Sequence, residues 1–136
     1  MDSLDRKACY RRFVRQYGFK DAGVYQGDFS RTSGQRAAAD LLKKPLPGAV
    51  LCANDRMAFG LLEGLKESGV RVPGDVRIIG FDDQSICTLI SPRLTTIENP
   101  FEAIGQKAAL KLIDRIRGKA VESESVASWL IVRESA

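Results

Sequence analysis

The stretch from Val50 to Asp83, VLCANDRMAFGLLEGLKESGVRVPGDVRIIGFDD, is the part of this chain that most restricts its fold. Val50 to Ala53 form one short apolar run and Val76, Ile78 and Ile79 another, and a run of this length bounded by turn residues reads as a buried strand. Polar side chains follow each one: Asn54-Asp55 after the first, Asp82-Asp83 after the second. Between them Met57, Ala58, Leu61, Leu62 and Leu65 recur at helical spacing, and Ser68-Gly69 stops the helix. A helix joining two strands makes them parallel, so both carboxyl ends reach the same edge of the sheet. In open α/β sheets ligands bind at that edge.

Composition narrows the chemistry. The chain has 136 residues, the size of one domain, and 44% hydrophobic residues, enough for an ordinary core. Histidine is absent, and Cys9, Cys52 and Cys87 lie far apart in no metal-ligand spacing. Neither a structural zinc site nor a histidine-dependent triad is therefore expected, nor any other metal or cofactor. Scattered thiols fit a reducing cytoplasm. The first residues, MDSLDRKACYRRF, hold no apolar signal core, and no run approaches the roughly 18 apolar residues of a membrane span.

Elsewhere the elements are read from periodicity and punctuation. Ser3 to Tyr17 is an amphipathic helix capped by Ser3 and stopped at Gly18, with Tyr10, Phe13, Val14 and Tyr17 on its apolar face. Most of the net charge of +4 comes from Arg6, Lys7, Arg11, Arg12 and Arg15 in this helix. Their spacing suits a solvated face better than a nucleic-acid patch. Gly23 to Gln26 is a short strand, and a helix follows from about Thr32 to Lys44, capped by Ser30 or Thr32, with Ala37, Ala38, Leu41 and Leu42 inward. As an alternative to any ligand role, Asp82 or Asp83 could cap a short helix over Gln84 to Leu89, Asp83 being the better placed. Pro100 opens the most regular helix, striped by Phe101, Ile104, Gly105, Ala108, Leu112 and Ile116 and ended by Gly118; Ala127 to Arg133 is a last strand.

The wording ANDRMAFGLLEGLKESGVRVPGDVRIIGFDD, with LTTIENPFEAIGQKAALKLIDRI after it, resembles the effector-binding core of the lactose/purine repressor (LacI/GalR) family of transcription regulators. The resemblance covers almost the whole chain. It implies a Rossmann-like, three-layer α/β parallel sheet flanked by helices, one incomplete subdomain of a type I periplasmic-binding-protein fold. Residues 1–93 would form the C-terminal effector-binding subdomain. Residues 94–120 would supply the crossing segment, beginning at Leu94-Thr95-Thr96-Ile97, and a helix that packs on the N-terminal subdomain. Residues 121–136 would return as the final strand.

Four ligand contacts are implied by matching the family's motifs. Arg6 would point a fork of donors into the cleft, though Cys9 stands where glycine is usual; the alternative is one more surface cation. Phe29 would stack on a ligand ring, its alternative being a core plug. Asn54, an excellent helix cap in its own right, would also contact the effector. Asp82 would accept hydrogen bonds from effector hydroxyls.

What the resemblance implies overall is a non-enzymatic sensing module for a sugar or similar small polar effector, part of a cytoplasmic DNA-binding regulator whose DNA-binding domain and first core half lie outside this sequence. Effector binding by this half alone would be weak or undetectable, because such clefts enclose their ligand. The strand that normally precedes the Arg6 helix would be missing from the middle of the sheet, and the helix after Pro100 would lack its cover. A homodimer, domain-swapped or intertwined, follows as the expected assembly, with an aggregation-prone monomer as the alternative. The other functional class weighed is the sugar-binding protein of a transport system. Catalysis is not expected, since no activated nucleophile and no phosphate-cradling loop is present.

Overall fold

The computed structural model describes residues 3–136. Five helices and four strands follow one another as α1 (Ser3–Gln16), α2 (Arg31–Leu41), β1 (Ala49–Leu51), α3 (Asp55–Glu67), β2 (Arg77–Asp82), α4 (Ile86–Leu89), β3 (Thr95–Glu98), α5 (Phe101–Ile116) and β4 (Leu130–Ile131). The strands form one sheet in the order β1-β2-β3-β4. β1, β2 and β3 are parallel, whereas β4 runs antiparallel to β3, with Thr96 opposite Ile131. The expected α/β sheet is therefore mostly parallel, and its last strand is the exception.

Alternation along β2 decides which face is covered. Ile78 and Gly80 are buried, Arg77 is exposed, and Ile79 and Phe81 are only half-buried. The buried face meets α3, whose Ala58, Leu61, Leu62 and Leu65 join Ala38 and Leu41 of α2 and Cys52, Val76, Ile78, Cys87 and Leu94 in one core. Small residues let α2 and α3 approach almost to backbone contact. A Cβ added at Gly34 would lie 2.1 Å from the Met57 carbonyl oxygen, and one at Gly60 would lie 1.9 Å from that of Arg31.

Ser135 completes the sheet below the start of β3. Its carbonyl accepts from the amide of Ile78 (2.8 Å), and its hydroxyl donates to the Ile78 carbonyl (2.7 Å) while accepting from the amide of Thr95 (2.8 Å). One buried residue thus ties β2 to β3 where the ladder has not yet begun.

Several expectations need correction. The predicted strand at Gly23–Gln26 does not form. Gly23 takes φ 103° and its amide donates to the Asp21 carboxylate, which bends the chain, and β1 pairs only with β2. Of the predicted apolar face of α1 only Val14 is buried; Phe13 and Tyr17 stay exposed and meet each other and Phe19 instead of a sheet. Tyr10 donates its phenol proton to Asp21. The side chain of Ser3, the predicted cap, lies outside the described residues. Leu42 lies just past the end of α2 and is exposed, and of the two candidate caps Ser30 is the one that caps that helix. Residues 95–98 are a sheet strand, with Leu94, Thr95 and Thr96 fully buried, so the chain leaves the sheet only after Glu98. Helix α5 matches its predicted span, and none of its residues is buried: Phe101, Ile104, Leu112 and Ile116 face solvent, as expected of an uncovered stripe.

Candidate functional site

β1 and β2 are adjacent and parallel, so the residues that follow them gather at one edge. Asn54 caps α3, its Oδ1 accepting from the Met57 amide at 2.9 Å. Its remaining donor, Nδ2, reaches the Phe29 carbonyl at 3.0 Å and fastens the loop before α2 to the start of α3. Phe29 sits at φ 64°, a left-handed conformation costly for a bulky residue, and its side chain is 46% exposed. It is not a core plug.

Asp82 ends β2 at φ 113° and Asp83 follows at φ 54°. Three non-glycine residues with positive φ therefore stand around one edge, and such strained backbone persists only where the surroundings fix it. Burial pushes the Asp82 carboxyl above its ordinary value; a hydrogen bond from the Asn99 side chain opposes this, the charge of Asp55 adds to it and that of Arg6 opposes it. Arg6 lies over the Phe81 ring, its guanidinium carbon 4.3 Å from the ring centre, a cation–π contact that keeps the fork beside the sheet edge. Its Nε is buried and has no hydrogen-bond partner among the described residues.

Of the four predicted residues, Asn54 is bonded directly to Phe29, whereas Arg6 lies on Phe81, the residue before Asp82, and reaches Asp82 only through its charge. All four belong to segments at the carboxyl edge of the sheet or packed beside it. Cys9 is exposed on α1.

Sequence reasoning missed four supporting residues. Phe81 underlies Arg6, and Asn99 bonds Asp82. Asp55 is fully buried beneath the site, accepting from the Thr96 hydroxyl at 2.6 Å and from the Gln84 amide at 2.7 Å. Arg133 pairs with Asp83 at 2.8 Å. Neither acid caps α4 as predicted, because Ser85 occupies that position and forms no side-chain cap bond. Among the described residues no cluster of His, Cys, Asp or Glu able to hold a metal is present, and no helix is long and apolar enough to cross a membrane.

A mostly parallel sheet flanked by helices, with polar residues at its carboxyl edge, defines an open α/β domain. The chain belongs to the periplasmic binding protein-like domain family, whose sequence pattern matches residues 2–136. It is 41% identical over 107 residues to the HTH-type transcriptional repressor PurR of Escherichia coli, covering 78% of this chain and 31% of that protein. Among solved structures it resembles a LacI family transcriptional regulator from Enterococcus faecium with bound ribose (TM-score 0.84, 33% identity, 93% of this chain and 48% of that one). It also resembles the transcriptional regulator CelR in complex with cellobiose (TM-score 0.87, 34% identity, 98% and 42%). The chain spans about a third of the length of the curated relatives it matches. These relatives are transcriptional regulators.

Proposed function

We propose that this chain is the effector-binding lobe of a cytoplasmic transcriptional regulator and that Arg6, Phe29, Asn54 and Asp82 contact the effector. The buried Nε of Arg6 without an acceptor, beside a carboxylate whose charge is disfavoured by burial, carries the reading. A vicinal diol satisfies both: one hydroxyl oxygen accepts from Arg6 while the other hydroxyl donates to Asp82. The ring face would lie on Phe29, and Asn54 has an amide already fixed at the rim. A sugar is the ligand class that fits, in line with the ribose and cellobiose in the two similar structures. Nothing in the site activates a nucleophile, so we read the lobe as a sensor rather than an enzyme.

In this reading residues 1–93 hold the effector, 94–120 contain the connection to a second lobe, and 121–136 return to the sheet. The exposed stripe of α5 covers itself in a homodimer, and operator DNA is engaged elsewhere in the protein, since residues 3–136 are taken up by the sheet domain.

Amide and arginine-side-chain NMR spectra during titration with millimolar D-ribose, cellobiose or adenine test the proposal. Saturable movement of the Arg6 Nε–H signal and of amides at Phe29, Asn54 and Asp82 is expected with a sugar. Absence of movement at these positions for all three compounds, or movement mapping to another surface, overturns it.

A further inference from the structure

Asp82 and Asp83 form the turn that leaves β2, both with positive φ, and neither is glycine. A turn of this kind needs fixing from outside. Two charged side chains do so. Asp55 holds the exit, accepting from the amide of Gln84. Arg133 holds the middle: its guanidinium meets Asp83 Oδ1 at 2.8 Å, with side-chain exposures of only 16% and 26%, and donates a second bond to the Leu94 carbonyl at 2.9 Å. The Arg133 backbone is itself fixed, its amide donating to the Thr95 hydroxyl at 2.8 Å.

We infer that Arg133 is a positioning residue for Asp82: by pairing with Asp83 and Leu94 together, it fixes the backbone turn that aims the Asp82 carboxylate into the ligand site. Two bonds from one rigid fork fix direction as well as distance, which a single surface ion pair does not. The residue lies just beyond β4, on the segment that returns from α5. Asn99, at the start of the excursion to α5, bonds Asp82. The outgoing and returning legs of that excursion are thus each attached to one of the two adjacent acids. A ligand that takes Asp82 acts on the same turn that Arg133 holds.

The inference rests on the effector reading for its ligand arm and on geometry alone for its backbone arm. The variants are Arg133→Met and Asp83→Asn, the second serving if the first does not fold, with Arg133→Lys as the conservative partial replacement. One readout is the one-bond Cα–Hα coupling at residues 82 and 83, which falls when φ is positive. The other is the D-ribose titration of the full 136-residue chain. In folded variants both couplings are expected to rise toward values for negative φ, and the apparent Kd is expected to weaken by about tenfold, as for supporting residues at other preorganised sites. Arg133→Lys should fall between parent and Met. Unchanged couplings in folded Arg133→Met and Asp83→Asn overturn the inference, as does ribose affinity equal to the parent's. If the parent itself binds none of the compounds, the effector reading fails, and the couplings still decide whether Arg133 sets the turn.

Discussion

The hydroxyl of Thr96 donates to Oδ1 of Asp55 at 2.6 Å, and both residues are fully buried. A buried carboxylate is tolerated only when hydrogen bonds replace its water, and Thr96 supplies one of them from the neighbouring strand. Thr96→Val, nearly isosteric, leaves Asp55 short of a donor and is expected to cost about 2 kcal/mol in urea denaturation. Thr96→Ser should recover most of it. Equal stability of the valine variant and the parent would mean that Asp55 is held adequately by Gln84 alone.

Gly60 and Gly105 should respond to alanine in opposite ways. Both are helical, but a Cβ at Gly60 meets the Arg31 backbone, whereas one at Gly105 meets nothing within 4 Å. Gly60→Ala must push α2 from α3 and is expected to lose roughly 2 to 3 kcal/mol. Gly105→Ala should gain about 1 kcal/mol from helix propensity. Thermal melts of the two variants side by side test the contrast.

Asp82→Asn separates stability from ligand response. The folded carboxyl titrates above its ordinary value of 3.8, so the folded state holds that proton more tightly than the unfolded chain. The resulting stability is fully present below pH 3.8 and is lost as pH rises through the raised value. Removing the charge should therefore raise the melting temperature at pH 7 by about 2 °C while abolishing the ribose-induced shifts. The gain should vanish in acid. A fall in melting temperature at pH 7 would contradict it.

Thiol reactivity should divide the three cysteines. Cys9 is exposed, while Cys52 and Cys87 are buried. Burial, together with the charge of Asp55, pushes both buried thiols up to about 12. With a thiol reagent at pH 8 one cysteine should react promptly and two at least roughly a thousandfold more slowly, reflecting their thiolate fraction. Prompt reaction of all three in folded protein would overturn the core as described.

Helix α5 offers Phe101, Ile104, Leu112, Ile113 and Ile116 to solvent, a continuous apolar face. Light scattering after size exclusion is expected to give twice the chain mass. Ile104→Glu with Leu112→Glu should return the monomer. A parent that is monomeric at high concentration would remove the homodimer from the proposed function.

The parts of the fold readable from sequence were those with strong local signals. Asn54, the leucines of α3 and Gly69 marked one helix at both ends, and Pro100 and Gly118 bounded α5. Asp82 was placed correctly at the carboxyl end of β2 for the same reason. What failed depended on partners distant in sequence. Phe13 and Tyr17 have the spacing of a buried face, but periodicity does not say whether a sheet is there to receive them. Residues 23–26 have strand composition, yet a strand exists only with a ladder neighbour. Leu94 to Ile97 were assigned as a crossing segment by resemblance alone, and what the residues themselves do not announce is that the two threonine hydroxyls are satisfied inside the sheet by Asp55 and by the Arg133 amide. Asp83 looked like a local cap, and its partner is Arg133. The supporting layer of the site was invisible for that reason.

Ser135 gives the fold an order of assembly. The polar bonds that seal β2 against β3 at their base come from a residue 57 positions beyond Ile78. During synthesis β1, α3 and β2 can pack as soon as they emerge, because their contacts are local. The base of the sheet must wait until the returning leg from α5 has been delivered, and until then the amide and carbonyl of Ile78 have only water to bind.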